Sequence, residues 1–256
     1  MRTKAIALSI ALLLVLGSIE LGAAASLQAD SIFGWPAAYS RDSVIFGRTY
    51  GEWSAAWQQW ADSMPAAAHP LFDTALCSEG QSGPVWFLGG KFCKNGDPTC
   101  SAQSAVRSCT VPAGKALYFP VVNFGCLDGE AQNGYCGNAG PFITQMRAAI
   151  GDGIDQTTKL KVTVDGKQIK GECLKPVDLK KDFRVQSPVY TAVLPADNLL
   201  EAIGESQLVA GTYWGVDDGV YIMLMPLPKG HHTLNFKGSF PQFDFSLDIT
   251  YNLTVK

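Results

Sequence analysis

The sequence predicts a mainly β protein, an antiparallel β-sandwich of the immunoglobulin-like or jelly-roll type with a few peripheral α-helices. The clearest evidence is the C-terminal stretch FDFSLDITYNLTV, in which apolar and polar residues alternate from Phe243 to Val255. Because side chains alternate between the two faces of a strand, this pattern predicts one long strand with a buried face and a solvated face. Strand-like and helix-like segments do not alternate at regular length, which argues against a doubly wound parallel fold.

Other segments have the composition of strands. LKVTVDGKQIK predicts a hairpin that turns at Asp165-Gly166, because tight reverse turns need positive φ angles. GTYWGVDDGVYIMLMPL predicts a second hairpin, turning at Asp218-Gly219, and HHTLNFKGSF is expected to pair with the C-terminal strand. FRVQSPVYTAVLP predicts one or two strands, while GPVWFLGG and KALYFPVVNF are apolar enough to be central strands.

Three helices are expected. Thr49 and Glu52 have the spacing of a capping box, so the first helix should begin at about residue 50, and Pro65 closes it. A second helix is expected at residues 141–150, with a proline in the first turn, and a short third one is expected to follow a cap at Asp197 and to end at Gly204.

The first helix contains an indole stripe. Trp53, Trp57 and Trp60 fall at i, i+4 and i+7, on one face, which is typical of a helix that packs on a sheet. Stacking on sugar rings is the alternative interpretation of these rings. The opposite face carries Ser54, Gln58, Asp62 and, in part, Gln59.

Residues 1–25 have the three parts of a secretory signal: a basic start at Arg2 and Lys4, an apolar run, and small residues before the expected cut after Ala25. Gly17 ends the apolar run too early for a bilayer span of about 20 residues, so a retained anchor is the less favoured interpretation. We therefore expect a secreted or periplasmic protein that has no membrane attachment after cleavage, with residues 26–256 forming one domain.

All seven cysteines follow the leader, where an oxidising compartment favours disulfides. Cys93 and Cys100 bracket a turn-rich insert, Cys126 and Cys136 bracket a Gly-rich loop, and Cys77 and Cys109 enclose the first pair. We expect these three disulfides, although spacing alone does not fix connectivity. Cys173 is then left over, as a buried thiol or as an intermolecular bridge. No Cys-x-x-Cys pair is present, so no zinc site is predicted.

The loop AAAHPLFDTALCSEGQSGPVW is the candidate ligand site, because binding groups concentrate on loops between rigid elements. His69, Asp73, Gln81 and Ser82 are its candidate contacts, together with Trp57 from the helix before it. His69 has two interpretations: it caps backbone groups in a packed loop, or it binds a ligand and transfers protons near neutral pH.

Metal sites receive little support from the spacing. Two histidines, from His69, His231 and His232, could join Asp73 or Asp244 in an open site. Ca²⁺ is a further candidate cofactor, because Asp152 with Asp155 and Asp217 with Asp218 supply hard oxygens. Turn chemistry explains both aspartate clusters equally well, so no cofactor is predicted.

The formal net charge is −3, and this mild acidity gives no reason to expect the concentrated basic face that phosphate binding needs. Nucleic acid is therefore not an expected partner. No Gly-x-Ser-x-Gly, His-Glu-x-x-His or phosphate-binding loop motif occurs in the chain. Paired carboxylates for glycoside cleavage stay open, because they come from distant strands and leave no local motif.

The motifs YGEWSAAWQQW, HPLFD, GQSGPVWFLGG, CTVPAGKALYFPVVN and RVQSPVYTAVLP resemble, in this order, a family of uncharacterised exported bacterial proteins. The resemblance covers nearly all of the chain after the leader and implies a signal peptide and a mostly β fold. It implies no activity and no catalytic residue. The insert CKNGDPTC departs from the family pattern.

These observations lead to three hypotheses. The first is an exported, non-catalytic binding or structural protein for a carbohydrate or a cell-surface ligand. The second is a secreted hydrolase or lyase with a site near His69 and Asp73. The third is a subunit of an extracellular assembly, linked through Cys173.

Overall fold

The computed structural model describes residues 36–132, 136, 142–171, 175–204 and 208–256. The expected leader and Cys173 lie outside the described residues. Within these ranges, no helix has the length and apolar character that a membrane crossing requires.

The described elements are mainly strands. The strands are β1 (Val85–Phe87), β2 (Ser104–Val111), β3 (Ala116–Leu127), β4 (Thr158–Val164), β5 (Lys167–Gln168), β6 (Arg184–Gln186), β7 (Tyr190–Leu194), β8 (Gly211–Leu224), β9 (Gly230–Phe240) and β10 (Phe245–Val255). The helices are α1 (Tyr50–Asp62), α2 (Asp128–Gln132), α3 (Ile143–Asp155), α4 (Leu179–Phe183) and α5 (Leu199–Ile203).

The strands form two mixed sheets among the described residues. The first has the order β1-β3-β8-β6, with β7 also paired to β8, and the second has the order β2-β10-β9-β4-β5. β1 pairs with β3, and β2 with β10, in parallel. The mainly β expectation is confirmed, but the purely antiparallel one is wrong. The chain leaves the first sheet after β1, forms β2 in the second sheet, and then returns to the first sheet as β3. Such a crossover allows β1 and β3 to pair in parallel, whereas a hairpin would make them antiparallel. The immunoglobulin-like or jelly-roll type stays a prediction.

The hairpin predicted at Asp218-Gly219 is wrong, because β8 runs without a turn from Gly211 to Leu224. Neither residue adopts a positive φ. Asp218 is buried in an ion pair, and a Cβ on Gly219 would come within 2.6 Å of the Asn123 side chain. The Asp-Gly pair therefore reflects a buried charge and a close strand contact rather than a turn.

The other hairpin predictions are confirmed. Asp165 and Gly166 join β4 to β5 with φ angles of 52° and 75°. β9 pairs with β10 along its whole length. β10 buries alternate residues from Ile249 to Val255, but it begins after Phe243, which lies in a 3₁₀ turn and is 62% exposed.

The remaining strand predictions have mixed outcomes. β3 is central as expected, whereas β1 is a short edge strand. FRVQSPVYTAVLP forms the two strands β6 and β7. β2 was not predicted, although it alternates between exposed and buried residues.

The helix predictions hold for α1, whose capping box is complete. The Thr49 hydroxyl accepts from the Glu52 N–H, and the Glu52 carboxylate accepts from the Thr49 N–H at 2.7 Å. α3 continues to Asp155, five residues past the expected end. Asn198, rather than Asp197, caps α5, while α2 and α4 were not predicted.

α1 packs on one face of the first sheet, and the second sheet packs on the other face. Tyr118 and Tyr221 stack beneath α1 at 5.2 Å, and the Trp57 ring meets Tyr221 edge-on at 6.2 Å. On the opposite face, Phe119 of β3 stacks on Phe236 of β9 at 5.0 Å. The chain is thus layered as helix, sheet and sheet.

All three predicted disulfides are present: Cys77–Cys109, Cys93–Cys100 and Cys126–Cys136. Cys77–Cys109 fastens the loop after α1 to β2. Cys126–Cys136 ties the end of β3 to the loop beyond α2.

Candidate functional site

The main cavity of interest lies along one edge of β3. β1 pairs only with Ala116–Tyr118, so the same edge from Phe119 onward has no strand neighbour among the described residues. A cavity of about 860 Å³ follows this edge, and its lining includes every residue from Pro120 to Leu127. This volume is within the range of small-molecule sites, roughly 300–1,000 Å³.

One side of the cavity is an aromatic wall. The wall consists of Phe124, Phe236, Phe240, Phe243, Phe245 and Leu247. Its rings contact one another, for example Phe124 with Phe240 at 5.0 Å and with Phe243 at 5.8 Å. Exposed Phe243 belongs to this wall, which accounts for an apolar side chain that β10 does not bury.

The other side is the C-terminal end of α1. Trp57, Gln58, Ala61 and Asp62 line the cavity there, next to Glu130 of α2. The polar face of α1 is therefore buried like the indole face. Ser54, Gln58 and Asp62 are each at most 6% exposed.

Asp62 has an unsatisfied carboxyl group. The residue is 5% exposed, and its Oδ2 atom has no hydrogen-bond partner among the described residues. Burial raises the pKa of Asp62 well above its usual value, and the nearby carboxyls of Glu130 and Asp217 raise it further. Asp62 is also the last residue of α1, where the helix dipole disfavours an anion.

Asp217 on β8 is fully buried behind Gln58. Its Oδ1 accepts from Gln58 Nε2 at 2.7 Å, from the Tyr221 hydroxyl at 2.9 Å and from Asn123 Nδ2 at 3.4 Å, while Oδ2 has no partner among the described residues. Burial raises the pKa of Asp217 to about 7, although these hydrogen bonds oppose the shift.

Glu130 completes what we call the acid cluster, namely Asp62, Glu130 and Asp217. Glu130 is 5% exposed, and its Oε2 accepts from the Leu127 N–H at 2.8 Å. After burial, the carboxyls of Asp62, Asp217 and Glu130 all raise the pKa of Tyr190, so the three acids lie around one phenol that also lines the cavity. Perturbed titratable groups in a cavity are characteristic of functional sites.

The neighbouring Asp218 is not part of this cluster, because successive residues of a strand point to opposite faces. Arg184 donates to both Asp218 oxygens at 2.9 Å and also binds the Asp155 carboxylate. A guanidinium thus supplies the positive charge for two of the aspartates considered for Ca²⁺. No group of three or more His, Cys, Asp or Glu suited to a metal occurs within the described ranges.

His69 is fully buried and holds the end of α1. The Leu71 N–H donates to Nδ1 at 3.0 Å, so Nε2 carries the proton and donates to the Ala61 carbonyl at 3.0 Å. Burial lowers the pKa of His69 to about 4. The neutral imidazole therefore links the loop to the end of α1 through hydrogen bonds. It does not share a site with His232, whose ring binds the Asp165 carboxylate.

Asp73 belongs to what we call the Arg107 cluster, formed by Arg107, Asp73 and Tyr251. Arg107 Nε donates to Asp73 Oδ1 at 2.5 Å, and Nη1 donates to the Tyr251 hydroxyl at 2.9 Å. The same guanidinium binds the carbonyls of Leu71, Gly89 and Gly90. Lys91 adds a second cation 3.2 Å from Asp73 Oδ2.

The other sequence-predicted contacts are divided between loop and cavity. Gln81 exchanges two hydrogen bonds of 2.8 Å with the Phe87 backbone, and Ser82 is exposed. Trp57 is 3% exposed and donates its indole N–H to the Leu88 carbonyl at 2.7 Å. Of the five predicted residues, only Trp57 lines the cavity.

No family model matches this chain. No curated protein matches it. Among solved structures, the structure of PbICP-C in complex with falcipain-2 is similar over 66% of this chain and 98% of that chain, with 8% sequence identity and a TM-score of 0.23. A similarity this low supports no conclusion about fold or function.

Proposed function

We propose that this chain is an exported, non-catalytic protein that binds a small organic ligand in the cavity along β3. The observation that carries the proposal is the buried Asp62 carboxyl, which lines the cavity without a partner for Oδ2. Buried polar atoms in folded proteins are nearly always paired, so an unpaired one in a cavity indicates a group that a ligand completes.

The lining favours a ligand with an apolar body and few polar groups. The aromatic wall offers flat apolar faces, while polar side chains concentrate at the α1 end. A sugar ring fits this description through its apolar face, and an extended oligosaccharide fits it poorly, because its many hydroxyl groups need more polar partners. Export is supported by the three disulfides, which persist in oxidising compartments.

Fluorescence titration with N-phenylnaphthylamine, a neutral apolar dye, tests whether the cavity binds ligands. We expect saturable binding at one site on the wild type. Ala102→Trp, at a partly exposed position of the lining, should weaken binding at least tenfold because the indole takes up ligand space. Val106→Trp is the matched control, because Val106 is 76% exposed on β2 and does not line the cavity. Equal affinity in both variants would place the dye elsewhere and contradict the proposal.

A second candidate function is hydrolysis with Asp62 as general acid. A carboxyl with a raised pKa beside a second carboxyl is the arrangement that acid-base catalysis requires. This candidate uses the acid cluster rather than His69 and Asp73, whose polar atoms are occupied by the backbone and by Arg107. Product formation from a glycoside substrate, lost in Asp62→Asn while the protein stays folded, would favour it over pure binding.

A further inference from the structure

We propose that the ligand of this cavity is an organic cation, an amine or quaternary ammonium whose positive end lies at Asp62 and whose apolar body lies on the aromatic wall. This inference rests on the proposed function and specifies its ligand class.

The charge of the lining is the first argument. The charged residues of the lining are Asp62, Glu130 and Lys91. Lys91 lies 3.2 Å from the Asp73 carboxylate, so its charge already has a partner. By contrast, Asp62 keeps a buried oxygen, Oδ2, without a hydrogen-bond partner among the described residues, and the fully buried Asp217 lies close to it.

The surroundings of Asp62 are the second argument. The groups that act on its carboxyl are Glu130 and Asp217, both acids. The last turn of α1 contains no basic residue, although a helix C-terminus attracts positive charge. Without a ligand, burial favours the neutral acid, and a bound cation would stabilise the carboxylate and release its proton.

The rings are the third argument. Trp57 and the phenylalanines of the aromatic wall line the same cavity as the two acids. The faces of aromatic rings attract cations, and proteins use cages of aromatic rings to recognise quaternary ammonium groups. An anionic ligand would meet like charge at Asp62, and a neutral ligand would leave Asp62 without a counter-charge.

Three ligands with one apolar body test the proposal by calorimetry at pH 7.5: naphthylmethylamine, naphthylmethanol and naphthylacetate. We expect the amine to bind at least tenfold more tightly than the alcohol, and the carboxylate most weakly. The amine should also release protons, which shows as a difference in apparent enthalpy between phosphate and Tris buffers. Equal affinity of amine and alcohol would overturn the cation proposal while leaving the cavity as a ligand site. Absence of binding by all three, together with failure of the dye titration, would overturn the proposed function itself.

Asp62→Asn is the decisive variant, because it removes the charge and keeps the shape. The amine should lose at least tenfold in affinity, and its preference over the alcohol should fall to about one. Asp152→Asn, at an exposed position of α3, is the matched control and should keep the preference. If Asp62→Asn retains the full preference for the amine, the charge at Asp62 is not what recognises the ligand. The wild-type comparison of the three ligands needs no variant and decides the question even if the substitution impairs folding.

Discussion

The Arg107 cluster and the acid cluster each contain charged side chains that are buried, Arg107 in the first and the three acids in the second, but they differ in how the atoms of these side chains are satisfied. All three guanidinium nitrogens of Arg107 have acceptors, and these acceptors come from three separate segments of the chain. In the acid cluster, Asp62 and Asp217 each keep an oxygen without a partner among the described residues.

Under the proposed function, this difference separates a structural role for the Arg107 cluster from a binding role for the acid cluster. A buried charge that binds several carbonyls fixes the backbone around it, and its removal breaks all of those hydrogen bonds at once. A buried acid without a counter-charge destabilises the empty protein, so its presence at a cavity indicates a ligand. The loop that the sequence predicts as a binding site is held in place by the Arg107 cluster, and the proposed site is the cavity next to the C-terminal end of α1.

Replacing Arg107 should have the largest effect on stability. Arg107→Met removes a guanidinium that is 9% exposed, together with its hydrogen bonds to Asp73, Tyr251 and three carbonyls. We expect a loss of about 4 kcal/mol in the free energy of unfolding, measured by urea denaturation without reductant. Lys229→Met, at an exposed position, should change it by less than about 0.5 kcal/mol. A small effect at Arg107 would show that the cluster does not hold the loop.

Removing Cys77–Cys109 should have the next largest effect, because this disulfide fastens the same loop two residues from Arg107 on β2. The bridge spans 32 residues, so loop entropy predicts a loss of about 3.5 kcal/mol when both cysteines become alanine. Removing Cys93–Cys100, which spans 7 residues, should cost about 2.5 kcal/mol. The reverse order in denaturation experiments would contradict this assignment of roles.

Asp217 of the acid cluster should make the free energy of unfolding depend on pH. Because the pKa of Asp217 is raised to about 7, the folded state binds a proton that the unfolded state releases between about pH 4 and pH 7. The stability of the wild type relative to Asp217→Asn should therefore fall as the pH rises through this window, by about 3 kcal/mol in all.

His69 acts in the opposite direction, because its pKa is lowered to about 4 and its contribution rises with pH up to about 6.5. The comparison with Asp217→Asn removes this shared contribution, since both proteins contain His69. A stability difference that is flat across the window would mean that Asp217 does not titrate there.

Asp62→Asn should have the smallest effect on stability. The amide avoids the cost of a buried carboxylate, so at pH 8 the variant should be as stable as the wild type or more stable by up to about 1 kcal/mol. Thermal denaturation at pH 8 measures this difference. A large loss of stability would give Asp62 a structural role like that of Arg107.

The sequence predicts those parts of the fold whose signals are local. The capping box of α1, the Asp165-Gly166 turn, the alternation of β10 and the three disulfides each depend on a few neighbouring residues. β2 was missed because its parallel partner is β10, more than one hundred residues away. The Asp218-Gly219 pair wrongly predicted a turn for a related reason. The charge of Asp218 is paired with Arg184 of another strand, and this long-range contact leaves no local signal.

The candidate site could not be predicted from the same local signals. The indole stripe of α1 identifies its packed face correctly, and the opposite polar face then reads as solvent-exposed. In the structure that face is buried: Gln58 binds Asp217 of β8, and the Asp62 carboxyl lies near the carboxyls of Asp217 and Glu130. The available signal was the spacing of Ser54, Gln58 and Asp62 at i, i+4 and i+8, opposite the packed indole face. This spacing identifies a buried polar face only when the strand that packs on it is known.

The most direct test of this account is the calorimetric titration of naphthylmethylamine into the wild type and Asp62→Asn at pH 7.5. We expect one saturable site in the wild type, proton release on binding, and at least tenfold weaker binding in the variant. Equal affinity in the two proteins, with no proton released, would contradict it.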